Sequence, residues 1–197
     1  MKTYQVITAA TTYPVSLTEA KSHLKVDTTA DDTYIESIIK AATQLSEEYT
    51  NRFFIDTVIE QYASSFAELQ TLFKSKVSAV AHVKYYDSDN SLQTLSATVY
   101  DTQLKYEPAQ IQLADSQNFP SVTKRNDAVL VRYTVGYGSA ASDVPEIIKQ
   151  AILLTIGNFY ENRNSVVIGR IATELPMNVK WLLDTYKVQI VGWQLAN

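Results

Sequence analysis

The sequence predicts an α+β protein: a helical core of about four helices, two N-terminal and two C-terminal, with a small, mainly antiparallel β-sheet inserted between them. Three observations predict this. Apolar residues recur at helical spacing over residues 16–52 and again over residues 144–186. Between them, over about residues 57–138, β-branched and aromatic residues alternate and turn-forming residues separate the runs. The chain has 197 residues and is 46% hydrophobic, enough for a single domain (residues 1–197) with a sizeable core. Residues 187–197 read as an extended C-terminal tail.

Residues 1–15 read as an extended arm closed by Pro14. Ser16-Leu-Thr-Glu19 is a capping box: the Ser16 hydroxyl can accept from the Glu19 amide while the Glu19 carboxylate reaches back to the Ser16 amide. It opens a helix over about residues 17–25, with Leu17, Ala20 and Leu24 inward. Thr29-Ala-Asp-Asp32 starts a second helix, its acidic first turn matched to the helix dipole, which runs to about residue 51. Ile35, Ile38, Ile39, Ala42, Leu45 and Tyr49 of that helix share one face. Strands are expected at residues 57–62, 77–86 and 128–137, and shorter ones at 92–95, 97–100 and 109–113. Asp87-Ser-Asp-Asn90 is a turn of residues that hydrogen-bond locally and tolerate left-handed backbone. Residues 67–73 read as a short helix or a loop, and 115–127, with Pro120, as a loop. Pro145 suits a first helical position and opens a helix to about residue 162. A mobile loop over 162–173 and a last helix over 177–186 follow.

The helix from Pro145 is apolar in several directions. Glu146, Gln150, Gly157 and Glu161 form one narrow stripe, and apolar side chains occupy most of the rest. Two readings stay open: a central helix enclosed by its own chain, or a helix that also meets a neighbouring subunit through Ile148, Ile152, Ile156 and Phe159. Gly157, costly inside a helix, suggests close approach by another element.

The chemistry of enzymes is sparse. There is no cysteine, so thiolate catalysis and sulfur-ligated zinc are excluded. His23 and His82, the only histidines, sit in no paired-ligand spacing, and no metal or cofactor is expected. The adjacent carboxylates Asp31-Asp32 and Glu47-Glu48 point about 100° apart on a helix and read as capping and solvated charges. Gly136-Tyr-Gly-Ser-Ala-Ala141 imitates a dinucleotide loop, but Asp143 and Glu146 would repel phosphate, so it reads as a turn. The formal net charge of −4 disfavours a tight grip on DNA. No signal peptide and no membrane-spanning run is read. Thirteen tyrosines suit a sheet core and its edges, or an interface.

Several strings together carry a resemblance. Pro14-Val-Ser-Leu-Thr-Glu-Ala-Lys-Ser-His-Leu-Lys-Val-Asp27, Asp31-Asp32 and Glu47-Glu-Tyr-Thr-Asn-Arg52 are followed by Val131-Arg-Tyr-Thr-Val-Gly-Tyr-Gly138. Then come Val144-Pro-Glu-Ile-Ile-Lys-Gln-Ala-Ile-Leu-Leu154, Phe159-Tyr-Glu-Asn-Arg163, and Glu174-Leu-Pro176 with Leu182, Leu183 and Tyr186. In order and spacing this resembles the head–tail connector (adaptor) family of tailed bacteriophages and prophages, some of whose members are described as possible DNA-packaging proteins. The resemblance implies a non-enzymatic structural protein of the virion head–tail interface, assembled in the host cytoplasm. It implies a ring of about a dozen subunits beneath the portal, which DNA traverses without being tightly bound and which receives the next head-completion or tail protein. For portal docking the candidates are Val188, Ile190, Val191 and Trp193 of the uncharged apolar tail, which could instead fold back as an edge strand. A tail or baseplate module that binds protein through the tyrosine-rich sheet is the alternative function.

Overall fold

The computed structural model describes residues 3–163 and 175–188. They fall into two compact units: residues 3–10 and 56–137 with Val188, and residues 11–55, 138–163 and 175–187.

The first unit is a sheet unit. Its strands are β1 (Thr3–Thr8), β2 (Thr57–Ala63), β3 (Val77–Tyr86), β4 (Leu92–Thr94), β5 (Tyr100–Gln103), β6 (Gln110–Leu113) and β7 (Val129–Val135). Five form an antiparallel sheet in the order β1-β2-β7-β3-β4, and β5 and β6 pair separately. The central strand β7 has the sequence Val-Leu-Val-Arg-Tyr-Thr-Val, in which only Arg132 and Thr134 escape full burial, as a strand covered on both sides requires. Its neighbours set Ile59 opposite Tyr133 and Val83 opposite Val131, all four buried. A four-residue helix, Phe66–Leu69, is capped by Ser65, whose hydroxyl accepts the Glu68 amide; Phe66 stacks on Phe119 with centroids 4.4 Å apart.

Among its described residues the second unit holds four α-helices, Leu17–Leu24, Asp32–Thr50, Glu146–Glu161 and Met177–Asp184. The capping box forms as the residues dictate: the Glu19 amide donates to the Ser16 hydroxyl at 3.2 Å and the Ser16 amide to the Glu19 carboxylate at 2.8 Å. Both Leu17–Leu24 and Asp32–Thr50 end in a left-handed residue, Lys25 and Asn51, with the following amide returned to a carbonyl one turn back (Val26 to Lys21, Arg52 to Glu47, 3.0 Å each). On Asp32–Thr50 the buried stripe is Ile35, Ile38, Ile39 and Ala42, continued by Thr43, Ser46 and Thr50 rather than by Leu45 and Tyr49, which are half-buried. Each buried hydroxyl donates to the carbonyl four residues back, at 2.8 Å, so burial leaves it satisfied. Pro145 is the cap before Glu146–Glu161 rather than its first residue.

The expected fold class needs correction. The described residues contain five α-helices, not about four, and the fifth, Phe66–Leu69, lies among the strands rather than with the others. The sheet is also not a small insertion between helical halves. Its edge strand Thr3–Thr8 precedes every helix, and the sheet builds a core of its own. The physical reason is long range: Thr-Tyr-Gln-Val-Ile-Thr has no strong local pattern and becomes a strand by pairing with Thr57–Ala63, Gln5 opposite Glu60. The strand expected at 97–100 begins at Tyr100, because residues 96–99 close a turn through the Val99 amide and the Ser96 carbonyl.

Candidate functional site

Several strings that carried the resemblance have a structural task within their unit. In the helical unit, Asp31 precedes Asp32–Thr50 and accepts from the Tyr160 hydroxyl at 2.6 Å and from the Arg163 guanidinium at 2.9 Å. Arg163 also lies over the rings of Tyr34 and Tyr160, 4.6 and 4.7 Å from their centroids. The Tyr160 hydroxyl first, then Arg163, holds the Asp31 carboxyl below its usual range. Asp32 is held instead by Lys21 at 2.6 Å. Glu47 accepts the Phe54 amide at 2.9 Å, and the Tyr49 hydroxyl donates to Asp184. These carboxylates are therefore clamps between helices and loops, each facing a different partner.

In the sheet unit, Gln61 and Tyr133 form a buried polar cluster. The Gln61 Oε1 accepts the Phe73 amide at 2.8 Å, and the Gln61 side-chain amide donates to the Thr71 carbonyl at 3.0 Å. The Tyr133 hydroxyl lies 2.8 Å from Gln61 Oε1 and 2.7 Å from the Phe73 carbonyl, and burial raises its pKa well above the usual value.

The glycine string is committed to packing. Gly136 has φ +153°, and a Cβ there would lie 2.6 Å from the Asp56 amide nitrogen. At Gly138 a Cβ would run into the Asp143 carboxylate, which already accepts the Ala140 amide at 3.0 Å. The amide a phosphate would need is occupied by an anion. Gly157 is different: a Cβ would meet His23 Nε2 at 3.6 Å, an ordinary contact, so the close approach inferred from this glycine is not there. It leaves a shallow hollow of about 300 Å³ lined by His23, Leu154, Asn158 and Glu161 among others.

The residues expected to make subunit contacts, Ile148, Ile152, Ile156 and Phe159, form the buried face of Glu146–Glu161. On that helix Ile147, 44% exposed, is the large apolar residue that faces outward. Of the tail candidates, Val188 is buried, while Ile190, Val191 and Trp193 lie outside the described residues, as does most of the loop expected at 162–173. Sequence reasoning missed the outward pair on Met177–Asp184: Met177 and Trp181, 66% and 70% exposed. Their four-residue spacing was the available signal. Among the described residues no group of three or more His, Cys, Asp or Glu side chains could hold a metal, and no helix is long and apolar enough to cross a membrane.

The model of the phage gp6-like head-tail connector protein family matches residues 14–116. No curated protein matches the chain. Among solved structures it is similar to a chain from the neck of an empty gene transfer agent (GTA) particle computed with C6 symmetry, with TM-score 0.78, 20% identity and 98% of each chain covered. A chain of the virion of the native GTA particle gives TM-score 0.73 at 20% identity, over 97% of this chain and 98% of that one. The neck of the native particle computed with C12 symmetry gives 0.72 at 18% identity, over 98% of each. At these identities the likeness is one of fold.

Proposed function

The chain belongs to the phage gp6-like head-tail connector family, and we propose that it works as one subunit of a ring beneath the portal, joining head to tail and lengthening the channel that DNA traverses. The structural head–tail adaptor role is the family's; the ring, its seat on the portal and its place in the virion are our reading. The observation that carries it is the family match combined with a fold shared, end to end, with chains of particle necks. Necks computed with C6 and C12 symmetry support a ring of about a dozen copies. The carboxylates and glycines that could have signalled catalysis are spent on capping and packing, which favours a structural protein over an enzyme.

For portal docking we keep the tail residues Ile190, Val191 and Trp193, uncharged and apolar in sequence; Val188 is already buried. A contact with a neighbouring copy through Glu146–Glu161 falls to Ile147, because Ile148, Ile152, Ile156 and Phe159 face inward. The net charge of −4 supports a channel that does not hold DNA. Negative-stain microscopy and native mass spectrometry of the purified chain, alone and with its portal, test the reading. Rings on the portal are expected, and a chain that never assembles there refutes it. Submicromolar filter binding of DNA at moderate salt would overturn the channel's indifference to DNA.

A further inference from the structure

The strand Thr3–Thr8 is held lightly. Among the described residues it lies at the edge of the sheet and pairs with Thr57–Ala63, Gln5 opposite Glu60 and Thr8 opposite Val58. Of residues 4–8 none is buried, and Val6 and Ile7 are 41% and 38% exposed. The strand therefore adds no side chain to the core, and unpairing it uncovers little apolar surface of its own. The Tyr62 hydroxyl reaches Gln5 Oε1 only at 3.3 Å. Residues 9–13 follow as a strap. All are exposed, and none makes a backbone hydrogen bond to a described residue. The chain is anchored again at Pro14 and Val15, both buried.

We propose that in the ring Thr3–Thr8 leaves its own sheet and pairs with Thr57–Ala63 of the next copy, so that each copy gives one arm and receives one. The proposal rests on the ring reading above and supplies its repeating contact. A closed ring needs a heterologous contact, made by two different and complementary surfaces of one chain. The arm and the edge of Thr57–Ala63 are two such surfaces, and one copy already displays their fit, residue by residue. The occupant of that edge is therefore a second copy's Thr3–Thr8, in the same register. Exchanging an identical element between copies restores every contact that it breaks. The strap sets the reach: extended, residues 9–13 span roughly 17 Å, so the arm can swing about Pro14 onto a neighbour packed beside it. Charge does not oppose the exchange. Thr3–Thr8 carries no charged residue, and Glu60, which it faces, is paired with Arg132 at 2.8 Å.

Because the chain has no cysteine, Thr8→Cys/Val58→Cys places thiols only at one pair of opposed positions. Rings assembled under reductant and then oxidised should run on a non-reducing denaturing gel as a ladder of multimers. The same variant oxidised as a dilute monomer should close within one chain; locked in this way it should fail to assemble until reductant is added. An equimolar mixture of the two single variants, assembled and oxidised, should stop at covalent dimers, and each single variant alone should stay monomeric. If the pair does not bond in the free chain, Gln5→Cys/Glu60→Cys, also opposed, takes its place. Rings that oxidise only to chains closed on themselves, or a locked chain that assembles as well as the reduced one, would overturn the exchange and leave the ring standing. A wild-type chain that forms no ring alone or on its portal brings down both.

Discussion

Replacing Gln61 by leucine removes both halves of one buried side chain's hydrogen bonding at nearly constant volume. Gln61 is fully buried and bridges the Phe73 amide and the Thr71 carbonyl, tying residues 71–73 to the sheet. Without it the buried Phe73 amide and the part-buried Thr71 carbonyl lose their partner. At about 1–3 kcal/mol for the amide and about 1–2 kcal/mol for the carbonyl, Gln61→Leu should destabilise the sheet unit by about 2–5 kcal/mol. Tyr133→Phe removes one hydroxyl from the same cluster and leaves the Gln61 bridge in place, so it should cost about 1–1.5 kcal/mol. The ranking follows from geometry: the glutamine serves two backbone groups, and the tyrosine serves one. Urea unfolding reads the magnitudes. Because the chain has two compact units, native-state hydrogen exchange should accompany it, with the loss falling on amides of Thr57–Ala63 and Val129–Val135. A cost below about 0.5 kcal/mol for Gln61→Leu, or a larger cost for Tyr133→Phe, would refute the assignment.

Gly157→Ala should stabilise the helical unit by about 0.5–1 kcal/mol, read as a raised urea midpoint, because the added methyl meets only His23 at ordinary contact distance. Ile152→Ala, at a fully buried position of Glu146–Glu161, should cost about 2–5 kcal/mol in the same assay. Asp31 has its folded pKa depressed by Tyr160 and Arg163. Its contribution is therefore present above the unfolded value of about 3.9 and is lost as pH falls through the lower folded value. Thermal midpoints of wild type and Asp31→Asn should differ at pH 6 and converge towards pH 2; a constant gap would show that the carboxylate's charge is not the stabilising element.

The features legible in the sequence are those whose causes are local. Ser16 and Glu19 lie within one turn, so the capping box could be written down before any fold was known. The apolar spacing of Asp32–Thr50 and Glu146–Glu161 located both helices within a residue or two. The hydroxyl residues Thr43, Ser46, Thr50 and Thr155 were not legible as core, since polarity argues for the surface until back-bonding to the preceding turn is seen to satisfy them. The ordered strings pointed to the connector family, but as a pattern without mechanism. Only tertiary structure joined Asp31 to Tyr160 and Arg163, about 130 residues apart in sequence. The same holds for the fold class. Helix is decided largely by neighbours in sequence, and the four helices of the helical unit were found, while Phe66–Leu69 was not separated from a loop. The strand at Thr3–Thr8 exists because Thr57–Ala63 lies beside it, and the outward set of Met177 and Trp181 exists because Val179 and Leu183 take the inner face. Pairing and burial across long sequence separations settle these, and no local pattern carries that information.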